Sequence, residues 1–342
     1  MESILLLAHT ESDGTLAKPA LEALAAALAM EGELSVGMVG AAVEPAANQI
    51  AGCGAARFLG VSGPAFGQSR YSTDAAAAEA LCRASGAAIV IAPSTSRWAR
   101  ALPGVAYRLG GRIDTHVTHV TNLAAGDGTP AVTRWFYRQR MEAVLTRSER
   151  PWMVLLDAGC VVPWSAPGPS GAAAVESVAV EAPVTRTTVT GIQAPKADEQ
   201  TIRPDAKLLF VAGAGWTKKQ SDGAVHAAEA EGLILGFLRA AKASLGGSKS
   251  LVDLSGEGEA VLRCMTHLNQ IGQTGATPRH PKGLSTCCHG EEPHVVGWRF
   301  VNQRRAINLD ANCGWARGKA DVLYVADAFE VMRRVNRLLE AG

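Results

Sequence analysis

Short, unbroken apolar runs separated by alanine-rich stretches fill the first third of the chain, and this rhythm leaves few folds open. Ile4-Leu5-Leu6-Leu7-Ala8, Leu34 to Val39 (ending at Gly40) and Ala88 to Pro93 read as strands. Pro19 to Met30, the stretch from the candidate cap Thr73-Asp74 to Ser85, and Arg97 to Leu109 read as helices, with Pro19 suited to a first helical turn. A strand that is apolar without alternation has both faces buried. Strands of that kind joined by helices imply a mostly parallel sheet with helices on both faces. The 36 glycines and 5% aromatic content agree with small-residue packing between such layers rather than with a β-sandwich.

The rhythm then changes. Ala131 to Tyr137, Glu142 to Thr146 and Trp152 to Leu156 read as strands without long helices between them, an antiparallel extension of the first sheet. From Val162 to Asp205 the chain is rich in Pro, Gly, Ala, Ser and Thr, and reads as a linker with room for one edge strand near Val175 to Val180. A second α/β unit opens with the run Lys207 to Gly213 and a helix over Gly223 to Ser244. Strands at Leu251 to Leu254, Ala306 to Asn308 and Val322 to Val325 follow, then a helix from Asp327 through Leu339. The expected organisation is an N-terminal α/β domain over 1–161, a linker over 162–205 and a second α/β domain over 206–342.

Charge and composition narrow the function. With 33 basic and 32 acidic residues the net charge is +1, so no global field draws the protein to nucleic acid or an anionic membrane. No apolar stretch has the length of a membrane span and the opening residues carry no basic leader, so the expected location is cytoplasmic, without membrane insertion. The seven cysteines form no Cys-x-x-Cys pair and are expected to be reduced. Cys287-Cys288-His289, with His280, His294 and Cys313, offers ligand types suited to zinc or an iron–sulfur cluster. Their spacings match no standard site, and buried thiols are the plainer reading. Gly213-Ala214-Gly215 lacks the third glycine of a dinucleotide fingerprint, and no catalytic acid–base pair or nucleophilic triad can be argued from spacing.

The most informative motif is Ile271-Gly272-Gln273-Thr274-Gly275. Glycines flanking a Gln-Thr pair let backbone approach a ligand while the amide and hydroxyl hydrogen-bond a polar ring edge. Around it stand Ser248-Lys249, then Ala306-Ile307-Asn308-Leu309-Asp310 and Val325-Ala326-Asp327-Ala328-Phe329. In this order the motifs resemble the flavin domain of electron-transfer flavoprotein alpha subunits. Ile91 to Ser96, Leu102 to Ala106 and Ile113-Asp114 are similar to that family's N-terminal domain.

The resemblance implies a flavodoxin- or Rossmann-like C-terminal domain that binds FAD, and an N-terminal domain that meets a beta subunit carrying AMP. It implies electron transfer from a flavin-dependent dehydrogenase to a downstream redox acceptor, a carrier rather than an ordinary enzyme. It places Ser248, Lys249, Gly272, Gln273, Thr274 and Gly275 at the flavin ring, with Lys249 at an arginine position where a cation favours the reduced flavin. His289, Gly290 and His294 correspond to the loop at the pyrimidine edge, and Asn308 and Asp327 to residues holding the adenosine half. Each has a plainer reading beside it: Lys249 as a solvated charge, Thr274 as a turn residue, His294 as a loop histidine, Asn308 as a strand-end turn, Asp327 as a helix cap. The chain departs from the family pattern at Gly215, where the pattern has arginine, and at Pro293, where it has glutamine. Those departures leave a second expectation, a flavin-poor paralogue acting as a structural subunit of a larger dehydrogenase complex.

Overall fold

The unbroken apolar runs become the centre of a nine-stranded sheet. In the computed structural model, the described residues are 2–30, 32–122, 129–136, 141–166, 168, 171–181, 183–191, 202–203, 206–253, 260–272, 276, 278–286, 301–313 and 320–341. They fall into two compact units, 1–192 and 193–342.

The N-terminal unit contains β1 (Glu2–His9), β2 (Gly32–Gly40), β3 (Arg57–Ser62), β4 (Ile89–Pro93), β5 (Arg112–Asn122), β6 (Pro130–Phe136), β7 (Met141–Leu145), β8 (Trp152–Leu156) and β9 (Val175–Ser177). Their order is β7-β6-β5-β8-β4-β1-β2-β3-β9. Successive residues of β1 feed opposite cores. Ile4, Leu6 and Ala8 pack with α1 (Lys18–Leu28) and α2 (Glu44–Gln49). Leu5 and Leu7 pack with α3 (Tyr71–Ser85) and α4 (Ser96–Arg108). This is the two-sided burial that the lack of alternation requires.

Two expectations for this unit need correction. Thr73 and Asp74 do not cap α3; the helix starts at Tyr71 with Arg70 at the N-cap, and the buried Asp74 carboxylate reaches back to accept from the Arg70 amide at 3.1 Å. Trp152–Leu156 is not part of an antiparallel extension. All five residues of β8 are buried, and the strand runs parallel between β4 and β5. Among the described residues of this unit only the β5–β6 and β6–β7 pairings are antiparallel. The edge strand expected near Val175 to Val180 is β9, which adds in parallel to β3. That approach needs Gly60, because a Cβ there would stand 2.8 Å from Val175 Cγ1.

Asp114 ties the antiparallel part to the rest. Its carboxylate, 1% exposed, accepts from Arg134 Nη1 on β6 (3.0 Å), from Arg147 Nε and Nη2 (2.9 and 3.0 Å) and from Trp152 Nε1 on β8 (3.0 Å). Desolvation pushes this carboxyl upward, but the hydrogen bonds from Arg147, Trp152 and Arg134 together hold it below the ordinary aspartate value.

The C-terminal unit carries β10 (Leu208–Ala212), β11 (Ser244–Gly247), β12 (His280–Thr286), β13 (Val301–Asn308) and β14 (Val322–Val325), all parallel, in the order β11-β10-β12-β13-β14. Counted within the unit this is 2-1-3-4-5, the flavodoxin-like doubly wound order. Helices α5 (Ala227–Ala241) and α7 (Ala328–Ala341) pack on one face through Ile234, Phe237, Phe329 and Met332.

The expected helix over Gly223 to Ser244 is shorter. Lys242 takes a left-handed conformation (φ 49°) that ends α5, and Ser244 already belongs to β11. The expected strand at Leu251 is instead part of α6 (Lys249–Asp253). Gly246 and Gly247 make the strand, since side chains there would run into Ile271 and Met265. Ser248 then starts the helix by accepting from the Leu251 amide at 3.3 Å. Among the described residues no helix is long and apolar enough to cross a membrane.

Candidate functional site

A doubly wound parallel sheet binds ligands outside the carboxyl ends of its strands. The fold delivers the described candidate residues to that edge of the C-terminal unit. Ser248 follows β11 directly; it is buried, and its amide donates to Ala212 O at the end of β10 (3.0 Å). Lys249 is exposed at the start of α6.

Gly272 is brought to the same place by a docked loop. Asn269 Nδ2 donates to Leu245 O (3.2 Å), and the Ile271 amide donates to Gly247 O (3.1 Å), so the loop lies against β11. The Gly272 amide donates to Ala276 O (2.9 Å) and the Ala276 amide to Gln270 O (2.8 Å). These bonds close a turn whose φ of 117° at Gly272 suits only glycine. Gln273, Thr274 and Gly275 lie outside the described residues, as do His289, Gly290 and His294.

At the other side of the edge, Asn308 is the last residue of β13 and is 1% exposed. Its Oδ1 accepts from the Asp310 amide (2.9 Å), while its Nδ2 is buried without a hydrogen-bond partner among the described residues. One residue before the end of β12, Ser285 Oγ is likewise buried and unpartnered. An orphaned buried donor costs roughly 1–3 kcal/mol, so such a group at a ligand-binding edge points to a polar ligand. Asp327 joins β14 to α7 and caps the helix, its Oδ1 accepting from the Glu330 amide at 2.9 Å. It also lines a hollow of about 320 Å³ with Asp222, His226, Leu309, Phe329 and Arg333. Within the hollow His226 Nε2 pairs with Asp222 Oδ2 at 2.7 Å, and the Ala224 amide and His226 hold the Asp222 carboxyl below its ordinary value. The structure thus groups Ser248, Lys249 and Gly272 around the end of β11, and Asn308 and Asp327 at the ends of β13 and β14.

Sequence reasoning did not find Trp216. The glycine turn after β10 becomes a single 3-10 turn over Ala214–Thr217, in which Gly215 is buried. Trp216 turns inward, with its ring 4.6 Å from that of Phe329. Its Nε1 donates to Thr286 Oγ1 at 2.8 Å, and that hydroxyl donates to Val211 O at 3.0 Å. Strands β10 and β12, where the strand order reverses, are therefore locked together by an indole. The available signal was a tryptophan placed directly after a glycine turn. Lys218 and Lys219, the nearest cations, are exposed.

Cys287 and Cys288 lie outside the described residues, and Cys313 is a buried free thiol in an apolar cluster. Among the described residues no group of His, Cys, Asp and Glu could hold a metal ion. No curated protein matches the chain. The family model described as the electron transfer flavoprotein domain matches residues 4–183, more than half of the chain. Together with a nine-stranded sheet spanning that region and a doubly wound second unit, the match shows that this chain belongs to the electron transfer flavoprotein family.

Proposed function

We propose that the chain is an alpha-type electron transfer flavoprotein subunit. It holds FAD at the carboxyl edge of its five-stranded sheet, jointly with a beta-like subunit that binds AMP. It passes electrons from a flavin-dependent dehydrogenase to a downstream redox acceptor. The observation that carries this reading is the orphaned Asn308 Nδ2, buried at the ligand-binding edge of a doubly wound sheet.

FAD, when bound, supplies reversible acceptance of electrons, which none of the chain's own side chains provides. Asn308 offers a buried donor to the adenosine half, and Asp327 an acceptor beside it. Gly272 to Gly275 present backbone, amide and hydroxyl to the ring, and Lys249 adds a cation that favours negative charge there. His289, Gly290 and His294 close the pyrimidine edge. The N-terminal domain, with β9 paired to its sheet, meets the beta-like subunit, and the chain between β9 and β10 allows the FAD-binding domain to change partners.

A second reading has its own observation. The turn that carries an arginine in the family pattern holds a buried Gly215 here, and the adjacent Trp216 packs into the core. Under that reading the chain is a flavin-poor structural subunit of a larger dehydrogenase complex. Co-expression with a beta-like subunit, followed by size-exclusion chromatography with light scattering and an absorption spectrum, separates the two. The carrier reading expects a yellow heterodimer with one FAD. A colourless complex that stays colourless after incubation with excess FAD would establish the structural reading instead.

A further inference from the structure

We infer that the open half of the five-stranded sheet is a docking groove for an acidic amphipathic helix of another protein chain. The parallel register aligns Leu208 with Lys282 and Gln303, then Leu284 with Arg305 and Val322, then Ile307 with Tyr324, all on one face of the sheet. This is the face that α5 and α7 cover elsewhere through the core around Phe210 and Phe237. Beside α7 the cover stops among the described residues, leaving a groove of about 440 Å³.

Leu208, Leu284 and Ile307 form its floor, and Val331 and Val335 of α7 form one wall. Tyr324, 44% exposed, closes the other side on β14, the outermost strand of the sheet among the described residues. Val331 and Val335 continue along α7 to Leu338, 67% exposed, at the i, i+4, i+7 spacing of a helical stripe. The shape is that of an apolar trough between a helix and a sheet, which accepts the apolar face of one more helix.

The rim determines the chemistry of the occupant. Lys282 and Arg305 stand exposed on it, and Arg334 is exposed on α7. None of the three has an ion pair among the described residues. Neighbouring arginines are neutralised within the chain, Arg304 by Asp321 (3.1 Å) and Arg333 by Glu229 (2.6 Å). Lys282, Arg305 and Arg334 thus leave uncompensated positive charge beside the apolar groove, and a complementary partner brings carboxylates flanking an apolar stripe. A second copy of this chain using the same face would oppose cation to cation across a two-fold axis, so self-association does not suit the rim.

The test uses the full chain and two synthetic amphipathic helices, identical except that one carries glutamates beside its leucine stripe and the other lysines. Fluorescence anisotropy should show the glutamate helix binding more tightly, with affinity falling as salt rises. Combined Lys282→Glu and Arg305→Glu should weaken that helix by about tenfold or more and reverse the preference. Tyr324→Asp should weaken both helices, and circular dichroism should show an intact fold in every variant. Equal binding of the two helices, or an affinity unmoved by charge reversal, would overturn the proposal. So would concentration-dependent self-association removed by Tyr324→Asp, which identifies a second copy as the occupant. Charge-dependent binding to phosphatidylglycerol vesicles with no preference between the helices would overturn it in favour of a lipid surface. Flavin content, measured on the same variants, reports on the electron-carrier reading separately.

Discussion

The two units bury polar groups of different kinds. Among the described residues, the buried carboxylates and guanidinium groups (Glu22, Asp74, Arg97 and Asp114) all belong to the N-terminal unit. The C-terminal unit buries no carboxylate or guanidinium among the described residues; its buried polar side chains are Thr217, Ser244, Ser248, Asn269, Gln270, His280, Ser285, Thr286 and Asn308. A buried ion pair demands nearly complete satisfaction by fixed partners. A buried amide or hydroxyl tolerates a missing partner at modest cost and can take one from a ligand. The N-terminal unit therefore sets its buried carboxylates against fixed donors, while the C-terminal unit leaves hydrogen-bonding capacity at Ser285 and Asn308, at the carboxyl edge of its sheet.

The largest expected effect tests the N-terminal half of that contrast. Arg97 bonds Asp74, which is fully buried, through Nε at 2.8 Å, and also donates to Phe66 O. Arg97→Ala should cost about 3–5 kcal/mol of the N-terminal unit's stability in urea titration. Asn269→Ala in the C-terminal unit, which loses neutral bonds to Leu245 O and from the Thr266 amide, should cost only about 2 kcal/mol. Similar losses for the two would erase the distinction.

Acid should also separate the units. The folded Asp114 carboxyl lies below its unfolded value, so the stability it contributes is fully present above the ordinary aspartate range. That stability is lost as pH falls through the folded value. Hydrogen exchange measured by mass spectrometry at decreasing pH should show the β5–β6–β7 region opening before the β10–β12 core, and Asp114→Asn should remove the pH dependence of that opening. Simultaneous opening would mean that Asp114 does not anchor the region.

A smaller effect sharpens the other half. Asn308→Ala should weaken FAD binding by about 0.5–1.5 kcal/mol, read by equilibrium dialysis of the heterodimer. If Asn308 only shapes a turn, the variant will lose stability while its flavin affinity stays as it was. A change of similar size is expected at Lys249. Lys249→Ala should lower the FAD potential by the equivalent of about 1 kcal/mol, a quarter of the roughly 4 kcal/mol attraction between unit charges at about 4 Å and an effective dielectric near 20. An unaltered potential with FAD still bound would return Lys249 to the plain role of a solvated charge.

Much of this contrast was legible in the residues, and the failures have definite causes. Ile4–Ala8, Ala88–Pro93 and Leu208–Ala212 declare themselves because runs buried on both faces need no neighbour to make them strands. Arg57–Ser62, Arg112–Asn122 and His280–Thr286 were invisible, since Arg57 and Gly60, Asp114 and His116, and Pro281 and Lys282 interrupt any periodic signal. Tertiary partners made them strands: Val175 beside Gly60, and the arginine cluster around Asp114. At the candidate site, the glycine-flanked motif and the strand-end Asn308 carried a resemblance. The inward turn of Trp216 depends on Thr286, seventy residues further along, and no local pattern encodes that.

The pairing of β9 with β3 has a consequence for how the protein is made and cut. Arg57, on β3, is bonded by Glu176 of β9 through two contacts, at 3.1 and 2.8 Å, across 119 residues of chain. Until residue 177 has left the ribosome, β3 presents an unpaired edge next to a completed sheet, the arrangement most prone to recruiting foreign strands. A fragment ending near residue 161, where the composition of the chain invites a cut, would keep that edge open permanently. Such a fragment is expected to aggregate, whereas one extended to residue 191 would carry its own seal.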